Sequence, residues 1–105
     1  MKFNEIEFET NEIGKRAVVS FENGYMASIV IGAYSYGGPE GLYEIAVLDD
    51  KGNITYDTPI TNDVIGYLNE QGVEDILLQI SQLPEQEEVK QEESNTGYGY
   101  DTEGY

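Results

Sequence analysis

Residues 15–34 read KRAVVSFENGYMASIVIGAY, and this stretch decides the fold that the sequence predicts. Two runs rich in β-branched and aromatic residues flank the dipeptide Asn23-Gly24. Such runs favour strands, and Asn-Gly favours the positive φ angles that a two-residue hairpin turn needs. We therefore expect antiparallel strands over residues 15–21 and 25–34, joined by a two-residue turn.

The sequence on either side of this hairpin adds further strand-like segments. Residues 3–10 alternate between apolar and acidic, residues 42–48 form an apolar run, and residues 54–57 follow a turn-forming cluster. For residues 64–68 the sequence indicates either a short extended segment or a single helical turn. Because each connection is short, the pattern predicts a four- to five-stranded antiparallel meander.

One helix is predicted near the end of the ordered part of the chain. Asn69 is a suitable cap, Glu70 suits the positive end of the helix dipole, and Pro84 ends the helical pattern. The apolar face of this helix consists of Val73, Ile76, Leu77 and Ile80. Leu78 falls outside this face. The expected fold class is α+β, with an antiparallel sheet and one C-terminal helix packed on one of its faces.

Composition changes at Pro84. Residues 1–83 hold 14 acidic and 4 basic residues, whereas residues 84–105 hold seven acidic residues, one Lys and Val89 as the sole aliphatic residue. A segment this poor in apolar side chains cannot offset an ordering cost of about 1–2 kcal/mol per residue. We therefore expect a small domain over residues 1–83 and an acidic, disordered tail over residues 84–105.

Composition also excludes several classes of function. The chain has no Cys and no His, which removes disulfides, thiolate nucleophiles and His-based catalytic triads. Its formal charge of -16 opposes direct binding to nucleic acid or to an anionic membrane. With 21 acidic residues, a carboxylate pair by itself does not indicate catalysis. We expect no enzyme and no cofactor, and the N-terminus lacks a signal-peptide pattern, so a cytoplasmic location is expected.

Acidic residues are the first candidates for contact with a partner. Glu5, Glu7 and Glu9 alternate along the strand expected at residues 3–10. On one face of a strand such residues lie about 6.6–7 Å apart, close to the spacing of phosphates along a nucleic-acid strand. This ladder predicts a surface that imitates the charge of DNA, and Asp49 and Asp50 are further acidic candidates. The alternative is a solvated edge strand.

The loop over residues 34–41, YSYGGPEG, supplies the second set of candidate contacts. Tyr34 and Tyr36 offer rigid, amphipathic contact area of the kind enriched at interfaces. Glu40 would repel a phosphate, and no Gly-Lys-Ser/Thr follows, so this is not a phosphate-binding loop. We interpret all three residues as partner contacts. The alternative is a plain connection with one of the tyrosines in the core.

An oxygen-rich turn over residues 57–63 contains Asp57, Asn62 and Asp63. Its spacing does not match a twelve-residue calcium loop. Asx-turn chemistry explains these residues more simply, so we expect no metal site.

Four motifs in the middle of the chain carry a resemblance to a known group of proteins. YSYGG at residues 34–38 precedes GLYEIAVL at 41–48, and YDTPIT at 56–61 precedes DVIGYL at 63–68. With these motifs, residues 15–83 resemble a group of small acidic proteins encoded by bacteriophages and prophages. The resemblance implies a mobile-element origin and a host-cytoplasm setting, but no functional residues. Small acidic proteins in that setting are often inhibitors of host or defence enzymes, including anti-CRISPR and anti-restriction proteins that imitate DNA.

The function expected from these features is non-catalytic inhibition. The partner would be a basic nucleic-acid-handling host or defence protein, such as a nuclease or polymerase, bound by a monomer or dimer of this chain. Two alternatives stay open. One is a small-molecule sponge or sensor in which residues 34–41 and 57–63 enclose a ligand. The other is a phage structural or assembly accessory protein whose sheet edge pairs with a partner.

Overall fold

The computed structural model describes residues 1–56, 58–61 and 63–85. One helix, α1 (Glu70–Ser81), packs against one face of an antiparallel sheet, which confirms the predicted α+β fold. The predicted tail lies outside the described residues from residue 86 onward. The five strands are neighbours in the order of the chain: β1 (Glu9–Asn11), β2 (Gly14–Ser20), β3 (Met26–Gly32), β4 (Tyr43–Leu48) and β5 (Val64–Leu68).

The hairpin of β2 and β3 has a longer connection than predicted. The N–H of Phe21 donates to the carbonyl of Tyr25 at 3.0 Å, and the N–H of Gly24 donates to the carbonyl of Phe21 at 3.2 Å. Three residues therefore form the loop, and Gly24 takes the positive φ of 94°. The predicted two-residue turn is wrong because such an Asn-Gly turn needs a positive φ at both residues, and Asn23 does not have one.

Asn23 instead connects this hairpin to the end of α1. Its side-chain amide donates to the carbonyls of Ile80 at 2.8 Å and Leu83 at 3.1 Å. Ile80 lies in the last turn of α1 and Leu83 lies just beyond the helix, in the region where backbone acceptors lack regular helical partners. At the other end, the Asn69 side chain accepts from the Gly72 N–H at 2.7 Å, which confirms the predicted cap.

The core lies between α1 and the sheet face that alternate strand residues build. Ala17, Ile29 and Ile45 are register partners across three strands, and all three are buried. Ile76 is partly buried against this cluster, and Leu78 is 58% exposed, as the helical spacing predicts. The helix contributes three buried residues, Val73, Leu77 and Ile80.

The N-terminal segment does not form the predicted strand over residues 3–10. Phe3–Glu5 is a single 3-10 turn, and the N–H of Phe3 donates to the Glu74 carboxylate of α1 at 2.6 Å. The rings of Phe3, Phe8 and Tyr43 pack together with centroids 5.2–5.8 Å apart. Packing of these aromatic rings overrides the local alternation, and only residues 9–11 join the sheet.

The fifth strand also lies elsewhere than predicted. Ile54 makes one isolated bridge, to Leu48, and no strand forms around it among the described residues. The predicted strand ends at Asp57, which lies outside them. The strand beside β4 is β5, in the segment for which the sequence left extended and helical structure open. No helix in the described part of the chain is long and apolar enough to cross a membrane.

Candidate functional site on the open face of the sheet

The sheet face opposite α1 carries no helix within the part of the chain that the structure describes. Because side chains alternate along a strand, its residues are those between the core positions of each strand. Val18 is 47% exposed on this face. We call it the open face and define it by Arg16, Val18, Ser28, Val30, Glu44, Ala46 and Val64.

A row of charged and apolar residues crosses the open face. Glu9 pairs with Arg16, Arg16 pairs with Val30, and Val30 pairs with Glu44. Direct partners on one face of an antiparallel sheet have Cβ atoms about 4.5–5.5 Å apart, so the side chains of Glu9 and Arg16 start from neighbouring positions. The Nε of Arg16 donates to the Ser28 hydroxyl at 3.3 Å. The open face therefore presents a cation with acidic residues in the same row.

The predicted carboxylate ladder is not formed. Glu5 lies in the 3-10 turn, where its carboxylate accepts from the backbone N–H of Lys2 at 2.9 Å. Glu9 begins β1, while Glu7 lies between the two elements. Regular phosphate-like spacing needs one continuous strand, so this part of the hypothesis is wrong. Glu7 and Glu9 still lie together, since both line a depression beside Arg16.

Both tyrosines of the loop between β3 and β4 are exposed, Tyr34 by 84% and Tyr36 by 59%. The alternative that places one of them in the core is therefore wrong. Tyr67 of β5 is 60% exposed, and its N–H donates to the Tyr36 carbonyl at 3.1 Å. We call Tyr34, Tyr36 and Tyr67 the tyrosine surface. Sequence reasoning missed Tyr67, whose only signal was an aromatic residue in a segment of undecided structure.

Tyr67 has a strained backbone at a bulge in β5. Tyr43 pairs with Leu68 and Ile45 with Ile65, so β5 has one more residue than β4 between these pairs. Tyr67 takes a left-handed conformation with φ of 59°. A bulky side chain is an outlier there and costs about 1–3 kcal/mol. Strain of this kind clusters at functional sites.

The loop that carries Tyr36 is seated against β4 and β5. The N–H of Tyr36 donates to the Glu44 carboxylate at 2.8 Å. A Cβ at Gly66 would lie 2.4 Å from the Cβ of Tyr36, so only glycine permits this approach. Gly37, with φ of 90°, turns the chain next to Tyr67. The tyrosine surface is thus held by backbone contacts rather than by the rings themselves.

A cavity of about 300 Å³ lies beside the tyrosine surface, between the loop after β3 and the turn before β2. Gly14 and Gly32 are register partners and leave its floor without side chains. None of the described residues in 57–63 lines it, so this cavity is not enclosed by the described part of that segment. The other main lining residues are Ile13, Arg16, Val30, Tyr34, Ser35 and Glu44.

The remaining predicted contacts lie apart from this cavity. Glu40 is exposed in a 3-10 turn, Gly38–Glu40. The Asp49 carboxylate accepts from the N–H groups of Lys51 and Asn53 at 2.9 Å each, so it stabilises the turn after β4. Asp50 is exposed in the same turn. This turn follows the end of β4 that is distant from Glu44, so these aspartates do not join the tyrosine surface.

The oxygen-rich turn is held by hydroxyl contacts. The Thr58 hydroxyl accepts from the N–H groups of Ile60 and Thr61 at 3.3 Å each. Asp57 and Asn62 lie outside the described residues. Among the residues that are described, no cluster of three or more Asp or Glu side chains is arranged to hold a metal ion.

Comparison of the chain with protein-family models, with curated proteins and with solved structures gave no match. The resemblance to small acidic phage proteins therefore stays a prediction. The geometry of the open face and the charge of the chain are the grounds for a functional proposal.

Proposed function

We propose that this protein is a non-catalytic binding protein that attaches to its partner through the tyrosine surface. The observation that carries the proposal is the position of Tyr67, which is 60% exposed on a backbone with φ of 59°. Folding alone would favour glycine at such a position. Exposed aromatic rings on a rigid backbone are the residues that dominate binding energy at protein interfaces.

The charge of the chain indicates the chemistry of the partner. Solubility needs a net charge of magnitude about 2–8, whereas this chain carries -16. A field of this strength speeds association with basic proteins and disfavours acidic ones. We propose a basic nucleic-acid-handling protein, such as a nuclease or polymerase of a host or defence system. The protein would act in the cytoplasm and inhibit this partner by occupying its nucleic-acid surface.

The matched variants Tyr67→Gly and Tyr56→Ala test the tyrosine surface. Tyr56 is 57% exposed and lies in the connection between β4 and β5, outside the tyrosine surface. In affinity capture from bacterial lysate, we expect wild type and Tyr56→Ala to retain one basic protein that Tyr67→Gly loses. The Tm of Tyr67→Gly should be unchanged or higher, because glycine relieves the left-handed strain. Retention by Tyr67→Gly would exclude Tyr67 as a contact.

The mode of inhibition is tested with the purified partner and its own DNA or RNA. If the protein occupies the nucleic-acid surface, the two ligands compete, and association slows as salt rises. Simultaneous binding without mutual weakening would contradict inhibition by charge imitation. Capture of capsid or tail proteins in place of a nucleic-acid-handling protein would favour the structural accessory role.

A further inference from the structure

We propose that the cavity beside Tyr34 binds a small planar organic anion, with its ring over the glycine floor and its anionic group at Arg16. The cavity volume of about 300 Å³ is at the lower end of small-molecule sites. It equals the volume of roughly ten waters at about 30 Å³ each. This inference does not rest on the proposed function, since it concerns a different ligand, although Tyr34 belongs both to the cavity lining and to the tyrosine surface.

The floor of the cavity favours a flat apolar group. A Cβ at Gly14 would lie 2.0 Å from the carbonyl oxygen of Ile31, and a Cβ at Gly32 would lie 2.4 Å from that of Ile13. These two glycines let the strands pair closely while no side chain fills the space above them. Tyr34, 84% exposed, stands at the rim with its ring available for stacking. A planar ring is the shape that fits this arrangement.

The charges at the cavity favour an anionic group on that ring. Arg16, one of the five basic residues in the chain, lines the cavity from the open face. Lys15 also borders it, but the alternation along β2 directs the Lys15 side chain to the helix side of the sheet. A guanidinium matches a carboxylate with paired N–H donors, and the bond to the Ser28 hydroxyl uses Nε, one of five such donors. The Glu44 carboxylate, on another side of the cavity, accepts the Tyr36 N–H at 2.8 Å.

Glu9 opposes this binding from the neighbouring strand. It is the direct register partner of Arg16, so its negative charge lies on the neighbouring strand and disfavours an incoming anion at this position. Its removal should therefore strengthen the binding of an anion and leave a neutral ligand unaffected. Substitutions of the paired residues Glu9 and Arg16 should therefore have opposite effects on the binding of an anion.

The test compares 2-naphthoate with 2-naphthamide, which has the same ring but no charge. In NMR titration of the full ¹⁵N-labelled chain, we expect 2-naphthoate to shift the amide signals of Gly14, Gly32 and Tyr34. We expect it to bind about tenfold more tightly than 2-naphthamide, the ratio that charge-assisted bonding of about 1.4 kcal/mol produces. Absence of shifts at these amides with both probes at millimolar concentration, or equal affinities for the two, would overturn the proposal.

Four variants separate the cavity from the general charge of the chain. Arg16→Gln should abolish the preference for 2-naphthoate, and Glu9→Gln should increase it several-fold. Tyr34→Ala should weaken both probes because it removes the stacking ring. Lys51→Gln removes the same charge as Arg16→Gln from the turn after β4, outside the cavity lining, and should change neither affinity. Equal effects of Arg16→Gln and Lys51→Gln would show that net charge, not this cavity, selects the anion.

Discussion

Leu77 and Leu78 are neighbours in the sequence with opposite surroundings, since Leu77 is 2% exposed and Leu78 is 58% exposed. We expect Leu77→Ala to lower the free energy of unfolding by about 2–5 kcal/mol because it leaves a cavity in the core. A small domain has about 5–15 kcal/mol in total, so this loss would be severe. Leu78→Ala should change little. Urea denaturation of both variants measures the difference, and equal losses would mean that the helix face is placed wrongly.

Tyr43 makes stability depend on alkaline pH. Its burial raises its pKa, and the negative charge of Glu70 adds to the effect. In the unfolded chain this group ionises near the ordinary pKa of about 10, at a lower pH than in the folded protein. The free energy of unfolding therefore decreases as pH rises. Stability from this group is thus complete below about pH 10 and is lost as pH rises through the raised pKa of Tyr43.

The pair Tyr43→Phe and Tyr34→Phe isolates this effect. Tyr34 lies at the surface, so its hydroxyl is not in the aromatic cluster with Phe3 and Phe8. In urea denaturation between pH 8 and 11, about the range that brackets tyrosine ionisation, Tyr43→Phe should lose less stability than wild type. Tyr34→Phe should follow wild type. If the stability of Tyr43→Phe fell with pH in parallel with that of wild type, Tyr43 would not be the source of the alkaline pH dependence.

Asn23 connects two elements that are distant in sequence, the β2–β3 hairpin and the end of α1. Asn23→Ala removes the donors to the carbonyls of Ile80 and Leu83 and the acceptor of the Tyr25 N–H at 3.1 Å. We expect a loss of about 1–3 kcal/mol, because partly buried carbonyls lose their partners. Hydrogen exchange should accelerate in the last turn of α1. The control is Asn53→Ala, at an exposed position in the turn after β4, where exchange in α1 should stay as in wild type.

The elements that the sequence predicts well are those whose pattern is long and regular. The β2–β3 hairpin and α1 carry their periodicity over many residues, and their core faces agree with the structure. Residues 3–10 alternate just as clearly, yet contact of Phe3 with Tyr43, forty residues away, decides their conformation. For β5 the sequence left extended and helical structure open, because the bulge interrupts the period of two.

In the candidate site too, some features follow from the local sequence and others depend on contacts between strands. The loop position of Tyr34 and Tyr36 is predictable because glycine and proline residues follow them, but the sequence left open whether one of the rings packs into the core. The exposure of Tyr67 depends on the bulge. The cavity depends on the pairing of Gly14 with Gly32, which is set by strand register and is not visible as a local motif.

The whole molecule carries a charge of -16, and like charges repel in the compact state more than in the unfolded chain. Salt screens this repulsion, since the Debye length falls from about 30 Å at 0.01 M to about 10 Å at 0.1 M. We expect the Tm to rise as KCl increases over this range. The double variant Glu7→Gln/Glu9→Gln should show a smaller rise. A Tm that stays constant or falls would show that repulsion does not limit stability.

The strand order of the sheet, in which each strand lies beside its neighbours in the chain, has a consequence for synthesis of the protein. The β1–β2 and β2–β3 hairpins close short loops, whereas residues 49–63 separate β4 from β5, so the first three strands are able to pair early as the chain leaves the ribosome. The helix that covers the core face is translated after all five strands. Until α1 has left the ribosome, the apolar face of the strands therefore has no helix to cover it, and that interval sets how long chaperones have access to this face.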